Sequence, residues 1–488
     1  MITTLGAGLT LEGLRYDNSF ARLPDAFFER RMPTGIANPV LAAFNADAAA
    51  SIDLRPGEEA RVEFLQFASG NALLPGMEPV AAVYAGHQFG VFVSQLGDGR
   101  AILAGEVVNA RGEAWELQLK GAGTTAYSRF GDGRAVLRST IREYLASEAM
   151  HHLGIPTTRA LAMTSSDEPV FRETRETAAM LVRMAPTFVR FGSFELFHSR
   201  RQPEHVKTLA HYTIERWFPQ AGDGDDRYAR FFADVVTRTA DLMAAWQSVG
   251  FAHGVMNTDN FSILGLTLDY GPYGFLDAYE PGFICNHTDA GGRYAFDRQA
   301  TVGLWNCYAL ANALSSLVGK EDLEAALAAY EPAYREGFLR RMRGKLGIRE
   351  QRPDDASLIL DLLELMQRSQ ADYTRTFRAL SDIDAESKPG DDRVAELFAD
   401  RDGWYAWLAR YRERLATEPG LADARRAARK SANPKYVLRN YLAQTAIEHA
   451  QAGDFAELQH LHAVLRKPFD EQPDNERYAQ AAPAGAET

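Results

Sequence analysis

His253-Gly-Val-Met-Asn-Thr-Asp-Asn260, followed by Leu268-Asp269-Tyr-Gly271, is the stretch that decides how the rest of the chain reads. Asn260 stands seven residues after His253, and Asp269 stands nine after Asn260. An amide and a carboxylate are oxygen donors of the kind that a hard Mg²⁺ takes alongside waters and phosphate oxygens. A further carboxylate, Asp259, directly precedes the Asn, while the position two after the His is Val255. Asn-Thr-Asp-Asn is also good turn chemistry, because Asn and Asp side chains bond their own backbone and tolerate left-handed geometry. The flanks favour a site over a plain turn. An amphipathic helical pattern over residues 228–246 leads into the loop, and short apolar runs at 261–268 and 273–276 follow it.

Helix, loop and hairpin in that order resemble the C-terminal lobe of kinase-like phosphotransferases. In such enzymes the loop opens His-Gly-Asp, the Asp takes the proton of the acceptor hydroxyl, and a later Asn and Asp complete the metal site. Here the base position holds Val255 and a carboxylate reappears at Asp259. That displacement points to a nucleotide enzyme other than an ordinary kinase.

Working towards the N-terminus, residues 91–96, 101–108 and 115–119 are short β-rich runs separated by Gly-Asp-Gly-Arg and Asn-Ala-Arg-Gly-Glu, so they read as antiparallel hairpins. Residues 135–152 have helical spacing, and strand-like runs follow at 158–163 and 178–184. Lys120 ends the strand Trp115-Glu-Leu-Gln-Leu-Lys120, and Glu143 lies twenty-three residues on, in the helix. A strand-end lysine is ordinarily a solvated surface group. With a helical carboxylate to hold it and a catalytic loop downstream, it reads as a phosphate-reaching ammonium.

Gly-Asp-Gly-Arg-Ala occurs twice, at 97–101 and 131–135. Both copies suit tight turns, and the second leads into the Glu143 helix, where backbone N–H groups can face an anion. Neither a Gly-x-Gly-x-x-Gly loop before Lys120 nor a Gly-x-x-x-x-Gly-Lys-Ser/Thr loop is present, so arginines are the remaining material for a phosphate cradle. Arg100, Arg134, Arg183 and Arg190 are the candidates, as guanidinium forks bind phosphate bidentately. For Arg183 and Arg190, a structural ion pair explains the sequence equally well.

Beyond residue 190 the signal is almost all helical, with candidates at 204–218, 226–248, 298–318, 322–346, 356–367, 404–415, 436–450 and 455–465. Residues 385–393 form a polar loop suited to a mobile connection, and the Ala/Pro/Gln-rich end reads as a frayed tail. The fold class is therefore α+β: a protein-kinase-like two-lobed fold with a strand-rich N-lobe and a mainly helical C-lobe. Residues 1–190 form the first lobe, 191–470 the second, and 471–488 a flexible tail.

The 488 residues carry 65 acidic and 53 basic side chains, a net charge of −12, which argues against a nucleic-acid partner. No apolar run is long enough for a membrane span and no leader is evident, so a cytoplasmic enzyme is expected. The two cysteines, Cys285 and Cys307, sit in largely apolar settings without metal or disulfide spacing. There is no His-Glu-x-x-His or Gly-x-Ser-x-Gly motif.

Taken together, Tyr84-Ala-Gly-His-Gln-Phe-Gly90, Gln95-Leu-Gly-Asp-Gly-Arg100, Leu117-Gln-Leu-Lys-Gly-Ala-Gly123, Gly131-Asp-Gly-Arg-Ala-Val-Leu-Arg138 and the 253–260 loop resemble the selenoprotein O family, across roughly residues 10 to 470. The resemblance implies a kinase-like fold with inverted ATP, and transfer of AMP from ATP to Ser, Thr or Tyr hydroxyls of proteins with release of pyrophosphate. It also implies UMP transfer with Mn²⁺ for bacterial members. Gly97, Gly99, Arg100, Lys120, Asp132, Gly133, Arg183 and Arg190 would bind ATP, with Glu143 pairing Lys120. Asp259 would accept the proton, and Asn260 and Asp269 would hold Mg²⁺ or Mn²⁺. A kinase-like phosphotransferase and a nucleotide-binding scaffold without activity are the competing readings; Val255 speaks against the first, and the joint presence of Lys120, Glu143, Asn260 and Asp269 against the second. Many relatives pair a C-terminal Cys or selenocysteine with a Cys near the metal loop. Here no cysteine follows Cys307, so redox control through such a bond is not expected at Cys285.

Overall fold

A computed structural model describes residues 8–386, 392–418 and 422–486. Much of the polar connection expected at 385–393 thus lies outside the described residues. The chain is mixed α and β, with an antiparallel sheet in its N-terminal part and helices through most of the rest.

The sheet has nine strands: β1 (Phe28–Arg30), β2 (Val40–Phe44), β3 (Val80–Gln88), β4 (Val91–Gly97), β5 (Ala101–Val108), β6 (Ala114–Lys120), β7 (Ala135–Val136), β8 (Arg159–Phe171) and β9 (Arg175–Ala185). Their order is β1-β3-β5-β6-β9-β8-β2, with β4 added to β3 and β7 to β9. Strand β5 (AILAGEVV) is buried along nearly its whole length, as expected of an apolar strand covered on both faces. On one face the helices α1 (Ala46–Ser51) and α2 (Val62–Ala68) close a core with Phe64, Phe67, Ile102, Leu117 and Val182. On the other lies α3 (Leu137–His152), whose Ile141, Tyr144, Leu145 and Ala149 join the main core.

Two expectations are corrected here. Residues 91–97 and 101–108 do not form a hairpin with each other, because β4 and β5 both pair with β3. The intervening Gly-Asp-Gly-Arg is instead a crossing loop. The helix expected at 322–346 is two helices, Lys320–Ala328 and Tyr330–Leu346. Pro332 sits in the first turn of the second, where a missing N–H costs nothing, whereas in mid-helix it would break the ladder.

Helix α4 (Phe191–Ser199) was not anticipated, although it joins the sheet to the loop region. It lies directly on β3: a Cβ on Gly192 would sit 2.1 Å from the Ala85 carbonyl oxygen. Helices α5 (Pro203–Trp217) and α6 (Arg227–Val249) follow, and α6 delivers the chain to the short strand β10 (Phe251–Ala252), paired with β11 (Gly274–Phe275). The 253–260 loop lies between these two strands in sequence. The next helix, α7 (Gln299–Leu314), packs against α4 and α6. In the segment read as a tail, residues 473–479 form a 3₁₀ turn in which Tyr478 is buried and donates to Glu457 at 2.8 Å. Among the described residues no helix is long and apolar enough to cross a membrane.

Candidate active site

Strand register brings the first charged groups together. Gln118 of β6 is directly opposite Arg183 of β9, and Lys120 lies two residues further along β6 on the same face. Arg183 Nε donates to Gln118 Oε1 at 3.0 Å. From α3, Glu143 reaches both cations: its Oε2 is 2.6 Å from Lys120 Nζ and its Oε1 is 3.0 Å from Arg183 Nη1. The strand-end lysine is therefore held by a helical carboxylate, as its spacing suggested.

Asp269 arrives from the helical side and completes the cluster. Its Oδ1 lies 2.5 Å from Arg183 Nη1 and 3.4 Å from Lys120 Nζ, and its Oδ2 lies 2.8 Å from Arg190 Nη1. The backbone of Asp269 is left-handed (φ 55°), a conformation that Asp adopts more readily than most residues. Burial works to raise its pKa, but Arg183, Arg190 and Lys120 outweigh that and hold the carboxyl well below the usual carboxylate range. Burial also lowers the Lys120 pKa, against the pull of Glu143. Arg190 lies 4.5 Å above the Tyr84 ring. Both readings of Arg183 and Arg190 meet in this arrangement: they are ion-paired, and Arg183 also lines the cavity described below.

The 253–260 loop is braced from several sides. His253 is buried, stacked on Trp246 with ring centroids 5.1 Å apart. Its Nε2 donates to the Leu268 carbonyl at 2.8 Å, and its Nδ1 accepts from Val255 N at 3.3 Å. Burial lowers its pKa, so it is a neutral strut between the loop and the Asp269 segment. Asn260 donates Nδ2 to the Val255 carbonyl at 2.9 Å, which leaves its Oδ1 as the free donor atom. The β3–β4 hairpin bonds the loop directly, through His87 N to Thr258 Oγ1 (2.7 Å) and Phe89 N to Asn257 Oδ1 (3.2 Å).

Asp259 is only 8% exposed. Gln88 Nε2 donates to its Oδ2 at 3.3 Å, whereas its Oδ1 is buried with no hydrogen-bond partner. Burial, only partly offset by Arg190, pushes its pKa up to about 6. A carboxylate in that state takes up a proton near neutral pH far more readily than an exposed one.

These groups face a cavity of about 730 Å³, lined by Gly97, Gly99, Arg100, Lys120, Asp132, Gly133, Arg183, Asp259, Asn260 and Asp269 among others. Glu143 and Arg190 stand behind the wall and act through Lys120, Arg183 and Asp269. A larger hollow of about 870 Å³ between the 330–346 and 355–369 helices contains none of the expected residues. The glycines let two loops interlock. A Cβ on Gly97 would lie 2.5 Å from the Tyr127 ring, one on Gly99 2.8 Å from the Tyr127 carbonyl, and one on Gly133 (φ 72°) 2.1 Å from Gly123.

The arginines do not share one role. Arg100 lines the cavity and has no ion pair among the described residues, and the same holds for Arg129. Arg134 pairs with Glu168 (2.8 Å), donates to the carbonyls of Thr34 and Gly35, and also lines the cavity, so it is a braced wall residue. Asp132 accepts both guanidinium nitrogens of Arg172, at 2.7 and 2.9 Å, and is a wall residue fixed by that pair.

Several lining residues escaped the sequence reading: Tyr84, Gln88, Asp98, Tyr127, Phe130 and Arg172. Asp98 is buried and accepts from Ala82 N and Gln118 Nε2, at 3.1 and 3.2 Å. Phe130 and Phe171 are highly exposed at the cavity mouth. An Arg-Phe-Gly segment in a turn-rich loop was the available signal for Phe130.

A divalent cation fits the residues present. Asn260 Oδ1 and Asp269 offer oxygen donors, and hard cations complete their shells with waters and phosphate oxygens. Among the described residues no group of three or more His, Cys, Asp or Glu side chains forms a closed metal cage, so such a cation would depend on those outside ligands. Asp269 is engaged by Lys120, Arg183 and Arg190.

Comparisons with known proteins cover nearly the whole chain. A family model described as protein adenylyltransferase SelO matches residues 10–466. The chain is 57% identical over 476 residues to the protein nucleotidyltransferase YdiU of Myxococcus xanthus (strain DK1622), covering 97% of each chain. It is 53% identical over 476 residues to the protein of the same name from Thiobacillus denitrificans, again over 97% of each. With the counterpart from Thioalkalivibrio sulfidiphilus it shares 54% over 483 residues and 98% of each. The chain is thus of the nucleotidyltransferase class. It belongs to the SelO family of protein adenylyltransferases.

Proposed function

We propose that the protein transfers AMP from ATP to Ser, Thr or Tyr hydroxyl groups of proteins, on a protein-kinase-like two-lobed scaffold. Residues 1–190 hold the nucleotide phosphates and residues 191–470 carry the loop that meets the acceptor. The observation that carries this reading is the pairing of a cationic wall around Asp269 with a buried carboxylate, Asp259, that has one oxygen unpartnered.

In the proposed step the acceptor oxygen forms a bond to the α-phosphorus, and the bond from that phosphorus to the bridging oxygen breaks. The hydroxyl proton passes to Asp259, and pyrophosphate leaves with the bridging electrons. Lys120, Arg183 and Arg100 face the phosphate oxygens, and Glu143 keeps Lys120 and Arg183 aimed. Asn260 and Asp269 would hold a Mg²⁺ or Mn²⁺, which would supply charge neutralisation on the phosphates. UMP transfer from UTP with Mn²⁺ would use the same groups. Cytoplasmic protein acceptors fit this reading.

ATP labelled separately at the α and γ positions tests it. Label from the α-phosphate on protein hydroxyls is expected; γ-label without α-label would establish a phosphotransferase, and neither label a binding scaffold.

A further inference from the structure

Strand β4 is an open edge of the sheet. It pairs with β3 alone, and among the described residues no strand lies against its other side. Open edges are normally guarded by charge, proline or extreme shortness. The edge at β1 is three residues long and carries Glu29 and Arg30. In contrast, Val91-Phe-Val-Ser-Gln-Leu96 holds neither a charge nor a proline, with Val91 68% and Phe92 38% exposed. A register shift follows Val93, so the regular edge is Val91 to Val93.

The ladder fixes which backbone groups face outward. His87 is opposite Phe92, and the His87 N–H donates to Thr258 Oγ1, away from β4. This is therefore a non-hydrogen-bonded pair, in which both residues turn their N–H and C=O away from the partner strand. Phe92 thus offers a backbone donor and acceptor on the open side. Both ends of the hairpin touch the site: Gln88, the last residue of β3, bonds Asp259, and Leu96 and Gly97 of β4 line the cavity.

We infer that the β4 edge receives an extended segment of the acceptor protein as an added strand, setting its hydroxyl-bearing chain beside Asp259. This rests on the reading of the cavity as a site of transfer to protein hydroxyls. Strand addition supplies affinity through main-chain hydrogen bonds, so it accepts chains of differing sequence, while Val91 and Phe92, on opposite faces, favour apolar side chains at neighbouring positions of the guest. The hairpin thereby serves two purposes: it holds the loop of Asp259 and it aligns the substrate.

The probe is the synthetic peptide acetyl-Val-Thr-Val-Tyr-Val-Lys-amide with α-labelled ATP. Phe92→Pro removes the outward N–H at a position where proline is tolerated, and Phe92→Ala removes the side chain but keeps the N–H. Loss of that main-chain hydrogen bond, about 1 kcal/mol, should raise the peptide KM about 5-fold in Phe92→Pro. The ATP KM should stay unchanged, and Phe92→Ala should be milder. Amide exchange at Val91–Val93 should also slow in the unmodified protein when peptide is added, which decides the matter even if Phe92→Pro fails to fold. Equal peptide KM in all three proteins, or exchange unaffected at the edge, overturns the inference. So does a concentration-dependent dimer that Phe92→Pro abolishes, since the guest strand would then be a second copy. Absence of α-label from every acceptor overturns the transfer reading instead, and exchange still reports on the edge.

Discussion

Arg190 Nη1 lies 2.8 Å from Asp269 Oδ2, and the same nitrogen donates to the backbone carbonyl of Asp259 at 2.8 Å. One buried guanidinium therefore ties the proposed proton acceptor to the proposed metal carboxylate. Removing either end of this link has consequences beyond the lost group.

Asp269→Ala leaves Arg183, Arg190 and Lys120 facing one another without their shared anion. Breaking a buried ion pair from one side typically costs about 3–5 kcal/mol, so a large fall in stability is expected along with loss of transfer. Asn260→Ala should be milder, because water can replace an amide ligand. Denaturant unfolding and ATP titration with and without Mg²⁺ check both variants; unchanged metal dependence in Asp269→Ala would rule out its assignment.

Asp259→Asn should lower turnover by about 10²–10⁴-fold with ATP affinity nearly preserved, the range for losing acid–base assistance. The carboxylate is the active form and burial sets its pKa at about 6, so the rate should rise with pH through about 6 and then level. The variant's pH–rate profile should lack that limb. Recovery at high Mn²⁺ would instead indicate a role in holding metal or its water.

Gly86→Ala tests Asp259 without changing any functional group chemically. The new Cβ would lie 2.8 Å from Asp259 Oδ1 and 3.0 Å from its Cβ, so the loop must yield. Turnover should fall at least tenfold, a barrier increase of about 1.4 kcal/mol, while the ATP KM changes little. Steady-state kinetics on the folded variant decide this.

Lys345 is buried, with Nζ 4.6 Å from the Phe377 ring centroid and no acidic partner among the described residues. Burial brings its pKa from 10.5 down to about 7. Between those values the unfolded chain binds more protons than the folded one, so this residue makes stability rise with pH across that window. Lys345→Met should stabilise the protein near pH 7, by about 1–4 kcal/mol on the scale seen when buried charges give way to apolar side chains. The advantage should shrink towards pH 10, as thermal unfolding at several pH values will measure.

The sequence made the Lys120–Glu143 pair legible because both ends lie on regular elements whose positions follow from periodicity. That Asp259, Asn260 and Asp269 would meet at one cavity was legible from local spacing, while their roles are part of the proposal. What local pattern did not carry was partnership across the chain. Whether Arg183 served an ion pair or a ligand depended on the β6–β9 register and on Asp269, eighty-six residues away. The pairing of Arg134 with Glu168 escaped the reading because Glu168 lies 34 residues away on β8. The Asp-Gly signal at 97–101 suggested a hairpin, yet β3 takes both neighbouring strands, and no local propensity encodes that choice. Gln88 went unnoticed because its partner is 171 residues away.

The bonds from His87 and Phe89 to Thr258 and Asn257 fasten the sheet to the helical half beside the chemistry itself. Opening the molecule like a clamshell would tear this seam first and carry Asp259 out of place. On the proposed reading, ATP and pyrophosphate would travel through the cavity mouth, past Phe130 and Phe171. The proposed catalytic groups would then stay buttoned in register while the nucleotide exchanges.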